Sequence, residues 1–306
     1  MAQTTDKHTY RVFQVDAFTD QLFAGNPAVV VLDADTLSDR QMQLIAREIN
    51  TGDSAFVLSP RSSDHDLHVR FFTSVREVPY VGHATIAAHV VLASLNGSSE
   101  RRLRQLSGIG VVDVEVTNRP GGAEIAVRQP AAKVVRSLTD AELDSLLDAL
   151  GVGSGDLDPR CPVEIYALRA TRLLIGLKAA SALANLKPDF GALARLTPHL
   201  GADGYFAFTT ASEVVGCFTE ARMFCPAIGI LEDAVSGNAH GMLGAYLVRH
   251  GLLRTQAGRA RFSGAQGAAL GRPGLVNVEI EAEGQSPHAV RIAGSGVIVF
   301  ETKLTF

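Results

Sequence analysis

Cysteine is scarce in this chain: of 306 residues only Cys161, Cys217 and Cys225 carry thiols. An odd count with no C-x-x-C pair argues against a disulfide framework and against a structural zinc site, and it sets the expectation of a reducing cytoplasm. Long apolar runs are missing too, since no stretch approaches the roughly 20 residues of a membrane-spanning helix. The opening MAQTTDKHTYRVFQVDAF has no basic region followed by an apolar core, so no secretion signal is expected. Charge of one sign is nowhere concentrated. Lys and Arg (28) and Asp and Glu (32) leave a net charge of −4. The basic residues are scattered, so no nucleic-acid partner is expected. Ser-His-Asp spacing, metal-ligand clusters, P-loops and G-x-G-x-x-G fingerprints are all absent. GVGSGD, residues 151–156, superficially resembles a phosphate loop, but no strand precedes it and it reads as a linker.

What remains is the composition of a globular protein, 46% hydrophobic and 20% charged, at a length that suits one large domain or two ordinary ones. YRVFQVDAF and AVVVLDA read as strands separated by a turn at Gly25-Asn26-Pro27. SDRQMQLIAREIN reads as a helix, with Ser38 as N-cap, Gln41 three residues on, and Met42, Ile45, Ala46 and Ile49 as its buried stripe. SAFVLS and HVRFFT follow as strands, then an apolar helix after His83. RLRQLSG, VVDVEVT and AEIAVRQP complete a strand-rich half that closes near Pro130. A second capping signature, Thr139 to Glu142, opens the other half. EIYALR, RLLIGL, GYFAFT, VGCFT and ARMF read as strands, and the stretch from GRPGLVNVEI to GVIVFETKL ends the chain with more. Cys217 and Cys225 then lie in strand-like surroundings, where free cysteine usually acts as a small buried hydrophobe rather than a nucleophile.

The halves share a pattern. Arg70 and Phe72 precede Glu77, Gly82, His83 and Ala84, with an apolar run behind; Arg222 and Phe224 precede Glu232, Gly237, Asn238 and Ala239, again with an apolar run. The offsets are 222 − 70 = 152 and 237 − 82 = 155, so three residues have been added between strand and helix. Similarity at a half-chain period points to a duplicated domain.

A helix opening at Gly-His-Ala or Gly-Asn-Ala presents unpaired N–H groups, glycine lets another group approach them, and the helix dipole favours an anion there. Such an end suits a carboxylate or phosphate. Two of them, one per half and facing a shared cleft, are expected to form an anion-binding chamber. His83 can exchange a proton with a bound molecule near neutral pH, or can merely cap its helix. Asp233 is either a partner for His83 or the substrate, or a solvated loop acid. Asp53, in a turn between helix and strand, is a candidate base among many ordinary loop aspartates. Glu77 and Glu232 are expected to tie their loops to backbone N–H groups.

DAFTDQLFAGNPAVVV, EINTGDSAFVL, RFFTSVREVPYVGHATIAA, RMFCPAIGILEDAVSGNAHG, QGAALGRP and GSGVIVF, in that order from about Tyr10 to Phe300, resemble the PhzF-like isomerases of phenazine biosynthesis, within the diaminopimelate epimerase-like superfamily. The resemblance implies an α+β protein of two pseudo-symmetric domains, each a curved, mostly antiparallel sheet around a central helix, with the active site between them. Residues 1–129 and 130–284 would be the domains, and 285–306 would supply final strands returning to the first. It further implies a homodimer and catalysis with neither cofactor nor metal. The family's catalytic acid falls on Asp53, its histidine on His83, its aspartate on Asp233 and its small polar residue on Asn238. Gly82 and Gly237 would supply backbone donors where the epimerases carry paired cysteines, and Ala84 and Ser236 complete the substrate-binding set. No cysteine stands at those places here, which argues against two-thiol racemisation.

Two departures bear on chemistry. The family's usual Ser/Thr-Glu-Thr reads Gly52-Asp53-Ser54, one methylene shorter at the carboxylate, and its Thr-Gly-Ser reads Ser236-Gly237-Asn238. A shortened arm needs a substrate seated closer or shaped differently, because proton transfer requires hydrogen-bond reach. The expectation is an isomerase that moves a proton, and with it a double bond, in a small unsaturated carboxylate or amino-acid derivative other than the phenazine precursor, with Asp53 as general acid/base. The alternatives are an epimerase acting at one carbon, and a non-catalytic small-carboxylate binder on the same scaffold.

Overall fold

The structure is a computed structural model that describes residues 8–97 and 100–305. In chain order its main elements are β1 (Thr9–Ala17), β2 (Asn26–Val31), α1 (Asp39–Ile49), β3 (Asp53–Leu58), β4 (Leu67–Phe72), β5 (Glu77–Val78), α2 (Gly82–Asn96), β6 (Arg101–Ser107), β7 (Gly110–Arg119) and β8 (Gly122–Pro130). They continue as β9 (Lys133–Ser137), α3 (Asp140–Leu150), β10 (Glu164–Ala167), β11 (Thr171–Leu177), α4 (Ala180–Ala184), α5 (Phe190–Leu200), β12 (Gly204–Thr209) and β13 (Thr219–Cys225). Last come β14 (Ile230–Asp233), α6 (Gly237–Arg249), β15 (Arg259–Gln266), β16 (Gly274–Glu283), β17 (Ser286–Gly294) and β18 (Gly296–Thr305).

The chain divides into two compact units. One runs up to Val127 and resumes at Gly294; the other is Arg128–Ala293. The break therefore falls inside β8. β17 lies in the second unit, paired with β16, and β18 pairs with β1 of the first.

Taken one unit at a time, the two sheets have the same strand order. In the first, β18–β1–β2 is antiparallel, β2–β3 parallel, β3–β4 antiparallel, β4–β6 parallel, and β6–β7–β8 antiparallel, with the short β5 beside β4. In the second, β9–β10–β11 is antiparallel, β11–β12 parallel, β12–β13 antiparallel, β13–β15 parallel, and β15–β16–β17 antiparallel, with β14 beside β13. Each parallel pair is bridged by helix, as a parallel connection requires. The duplication read from the sequence is thus a duplication of topology.

Within each unit one helix is almost wholly buried. α2 packs on β1, β2, β3 and β18 and buries Ala84 to Val91 without interruption; α6 packs on β9, β11, β15 and β16 and buries eleven of its thirteen residues. A helix apolar on every side has no solvent face, which is why neither shows an amphipathic stripe. The outer helices do. Met42, Ile45 and Ala46 of α1 meet Tyr10, Val12, Val29, Val31, Phe56 and Phe72 on the other face of the first sheet. Leu146 and Leu150 of α3 and Leu193 and Leu200 of α5 do the same on the second, against Leu173, Ile175, Tyr205 and Phe224. Strand residues of alternate parity feed the two layers.

Both predicted capping boxes form: Ser38 accepts from the Gln41 N–H while the Gln41 side chain accepts from Ser38, and Thr139 and Glu142 do likewise. Several expectations fail. VGCFT is no strand; β13 begins at Thr219, so Cys217 lies in the preceding turn. Asn26 and Pro27 are strand residues of β2 rather than turn residues. α4, α5 and β15 were not read from the sequence at all.

Candidate functional site

The shared pattern of Arg, aromatic and Glu is the scaffold of the site. Arg70 on β4 grips Glu77 on β5 through two parallel bonds, Nε to Oε1 at 2.8 Å and Nη2 to Oε2 at 2.7 Å. Arg222 on β13 grips Glu232 on β14 in the same way, at 2.9 and 2.8 Å. Each guanidinium also lies over the ring two residues on, Arg70 5.2 Å from Phe72 and Arg222 5.1 Å from Phe224. The glutamates were expected to bind backbone N–H groups; instead each is a bidentate partner that pins the strand leading into the central helix.

The two helix starts differ in what they leave open. α2 begins at Gly82 after Val81, whose side chain supplies no cap. The N–H groups of Gly82, His83 and Ala84 make no hydrogen bond among the described residues. α6 begins at Gly237 after Ser236, whose Oγ accepts from the Ala239 N–H at 3.3 Å, so one of the expected donors is already satisfied. Gly237 and Asn238 keep theirs, and the half-buried Asn238 side chain has no hydrogen-bond partner among the described residues.

Gln266, the last residue of β15, shapes that second start. Its Oε1 accepts from the Ser236 N–H at 3.0 Å and its Nε2 donates to the Asp233 carbonyl at 2.7 Å, which clamps the turn from Asp233 to Ser236. Sequence reading missed this role although Gln266 opens the motif QGAALGRP. Asp233 itself is half-buried at the end of β14.

In the first unit, Asp53 is not in a turn but is the first residue of β3, paired with Ala28 of the parallel β2. Gly52 before it has φ +127°, and a Cβ there would lie 2.5 Å from the Pro27 carbonyl oxygen. The backbone at that point admits only glycine. It delivers the Asp53 carboxylate, 25% exposed, to 3.7 Å from the His83 Nε2, 15% exposed. That separation exceeds a hydrogen bond, and Nε2 is buried without a hydrogen-bond partner among the described residues. A buried imidazole nitrogen left unbonded beside a carboxylate, at a helix start with three free N–H groups, is a place prepared for a polar atom from outside.

The sequence-predicted residues therefore gather in two sets. Asp53, Gly82, His83 and Ala84 come together in the first unit; Asp233, Ser236, Gly237 and Asn238 come together in the second, around Gln266. Among the described residues no group of three or more His, Cys, Asp or Glu could hold a metal ion. The thiols stand apart. Burial pushes Cys161 up to about 11 and Cys225 up to about 12, so neither is a thiolate near neutral pH.

The family profile described as "Phenazine biosynthesis-like protein" (PhzC-PhzF) matches residues 15–302. An uncharacterized isomerase of Clostridium acetobutylicum is 38% identical over 295 residues, covering 96% of this chain and 98% of the relative. The trans-2,3-dihydro-3-hydroxyanthranilate isomerase of Pseudomonas fluorescens is 35% identical over 292 residues, covering 95% and 96%. A crystal structure of a PhzF-family phenazine biosynthesis protein from Bacillus anthracis superposes with a TM-score of 0.85 at 26% identity, over 97% of this chain and 99% of that one. With a matching profile, isomerase relatives along nearly its whole length and the duplicated topology on the page, the chain belongs to the PhzC-PhzF, phenazine biosynthesis-like family and is an isomerase.

Proposed function

We propose that this isomerase moves a proton between two carbons of a small unsaturated carboxylate or amino-acid derivative, shifting a double bond, with Asp53 as the single acid/base. The observation that carries the reading is the Asp53 carboxylate 3.7 Å from an unbonded, buried His83 Nε2 at an uncapped helix start. In this reading the substrate carboxylate takes the free N–H groups of Gly82, His83 and Ala84. Asp53 removes the proton from an activated carbon and returns it to another on the same face. His83 and the helix end stabilise the enolate-like charge that develops. Asp233, Ser236, Gly237 and Asn238, with the free N–H groups of the last two, are the second unit's own candidates for holding a polar group of a substrate. The reaction uses no cofactor.

The closeness of the pair speaks against epimerisation by these two groups. Two bases on opposite faces of one carbon must each lie about 3 Å from it, so they stand roughly 5–6 Å apart. Asp53 and His83 are closer than that. One methylene less at residue 53, with Gly52 fixing where that short arm starts, favours a substrate seated differently from the dihydroanthranilate that the Pseudomonas relative is named for.

The test follows solvent deuterium into products from a panel of β,γ-unsaturated carboxylates, dehydro amino acids and trans-2,3-dihydro-3-hydroxyanthranilate. Label at a carbon other than the one deprotonated supports the proton shift; label at one carbon with inversion is the epimerase outcome. Asp53→Asn should lower turnover by about 10²–10⁴-fold while leaving substrate affinity in place. Full activity in that variant removes Asp53 from the mechanism.

A further inference from the structure

The sheet of the first unit carries a second polar cavity that the proposed reaction does not use. It has a volume of about 630 Å³ and lies at β4, β5, the end of β6 and the start of α1, lined by Asp39, Arg61, His68, Arg70, Glu77 and Ser107. His68, Arg70 and Phe72 alternate along β4 on one face, and Phe72 belongs to the layer under α1. Asp53 alternates on β3 with Phe56, which is in that same layer, so its side chain serves the opposite face. The cavity and the Asp53–His83 pair are separate places.

Its charges are arranged unevenly. Arg70 is fully engaged, giving Nε and Nη2 to Glu77 and Nη1 to Asp39 at 2.6 Å. Two carboxylates share that one guanidinium, and Asp39 Oδ2 is left over. Arg61, on the same wall, makes no hydrogen bond or ion pair through its guanidinium among the described residues and acts on the exposed Asp39 only through space. Its position is nevertheless fixed, because its N–H donates to Nε2 of the buried His65 at 2.8 Å. His65 in turn holds Asp64 through Nδ1 at 2.6 Å. His68, only 7% exposed, lines the same wall; its ring has no hydrogen-bond partner among the described residues, and burial, with Arg61 and Arg70 close by, lowers it to about 4. It is a neutral donor and acceptor at working pH. Pro79 and Leu106, the latter paired with His68 across β4 and β6, make the rest of the wall apolar.

The second unit shows that this is not simply what the repeat requires. There Arg222 Nη1 donates to the carbonyls of Leu183 and Leu186 instead of to a carboxylate. At the offset 222 − 70 = 152, Glu220 stands where His68 stands, since 220 − 68 = 152. The paired Arg and Glu are the shared scaffold; Asp39, Arg61 and His68 are additions of the first unit alone.

A cation would meet Arg61 and an anion would meet Asp39 and Glu77. Only an occupant carrying both charges a few bonds apart satisfies both ends. We propose that this cavity is a binding site for a small zwitterion of the α-amino-acid class, its carboxylate on Arg61, its ammonium on Asp39 Oδ2, and its side chain against Pro79 and Leu106.

Calorimetry and thermal shift on the full chain test this with L-phenylalanine, L-leucine and L-glutamine as probes. 2-Phenylethylamine and 3-phenylpropionate serve as one-charge analogues of the first. At least one amino acid should bind and raise Tm, each one-charge analogue of phenylalanine should bind at least tenfold more weakly than phenylalanine where that is the binder, and Arg61→Gln should weaken binding at least tenfold. The Arg61 side chain is exposed and makes no hydrogen bond or ion pair among the described residues, so that variant should fold as the parent does, which circular dichroism checks. His83→Ala should leave binding unchanged. No binding by any of the three overturns the proposal, as does an acid that binds as well as its amino acid. Binding lost in His83→Ala and kept in Arg61→Gln places the ligand at the Asp53–His83 pair and overturns it too.

Discussion

Replacing Gly52 with alanine is the sharpest probe of how Asp53 is held. An added Cβ would sit 2.5 Å from the Pro27 carbonyl oxygen, whereas ordinary contact begins at 3.4 Å, so the two must part by 3.4 − 2.5 = 0.9 Å. Pro27 is tied into β2 opposite Asp16, and Asp53 is the next residue along from Gly52, so the displacement falls largely on Asp53. A shift of about 1 Å in a reacting group costs on the order of 10²-fold in rate. Holding a non-glycine residue at φ +127° adds roughly 1–3 kcal/mol of strain, which for a protein of this size lowers Tm by about 1.5 °C per kcal/mol. Gly201→Ala is the control: φ there is +70°, but no atom lies within 4 Å of the added carbon. It should lose about 1 kcal/mol and no activity. Turnover is read by deuterium incorporation on the best substrate of the panel, and stability by far-ultraviolet circular dichroism. Should Gly52→Ala match the parent in rate, or match Gly201→Ala in both measurements, the claim that this backbone places the carboxylate is refuted.

Further tests address the scaffold. Glu232→Gln should destabilise by about 3 kcal/mol, since Arg222 and Glu232 are only 12% and 9% exposed and a buried charge would lose its partner. Glu77→Gln should cost about 1 kcal/mol, because Glu77 is 46% exposed and Arg70 keeps Asp39; equal losses in urea melts would contradict the distinction. Burial lowers His68, His89 and His240 to about 4, below the ordinary 6.5. The unfolded chain therefore binds more protons between those values, so the histidine contribution should be full above pH 6.5, fall as pH drops toward 4 and level off beneath it, where the arginine-paired carboxylates such as Glu142, lowered to about 2, take over the loss. His89→Gln should shallow that slope in a Tm-against-pH series. Of the three thiols, only the half-buried Cys217 should react with a disulfide reagent in the native protein, while urea should release all three; rapid native labelling of Cys161 or Cys225 would contradict their burial.

Much of the scaffold is legible in the sequence because local rules act alone there. Ser38 with Gln41, and Thr139 with Glu142, satisfy their helix ends by contacts within four residues, so spacing suffices to find them. The repeated Arg, aromatic, Glu and Gly were visible as letters, and the resemblance supplied the family. Other elements were hidden by composition: α5 contains Gly191 and Pro198, and β15 is broken by Ser263 and Gly264, so neither shows a clean period, and packing overrides propensity.

Order and spacing along the chain thus determined the duplicated plan, the capped helices, and which acid and histidine to watch. Only the three-dimensional arrangement decided what those residues touch. It made Glu77 and Glu232 partners of arginines, moved Asp53 from a turn to the head of a strand, and made Gln266 the clamp of the second helix start. It also left His83 unbonded and opened a charged cavity on β4. Each of these depends on strands far apart in sequence arriving side by side at a fixed register, and no local rule encodes that distance.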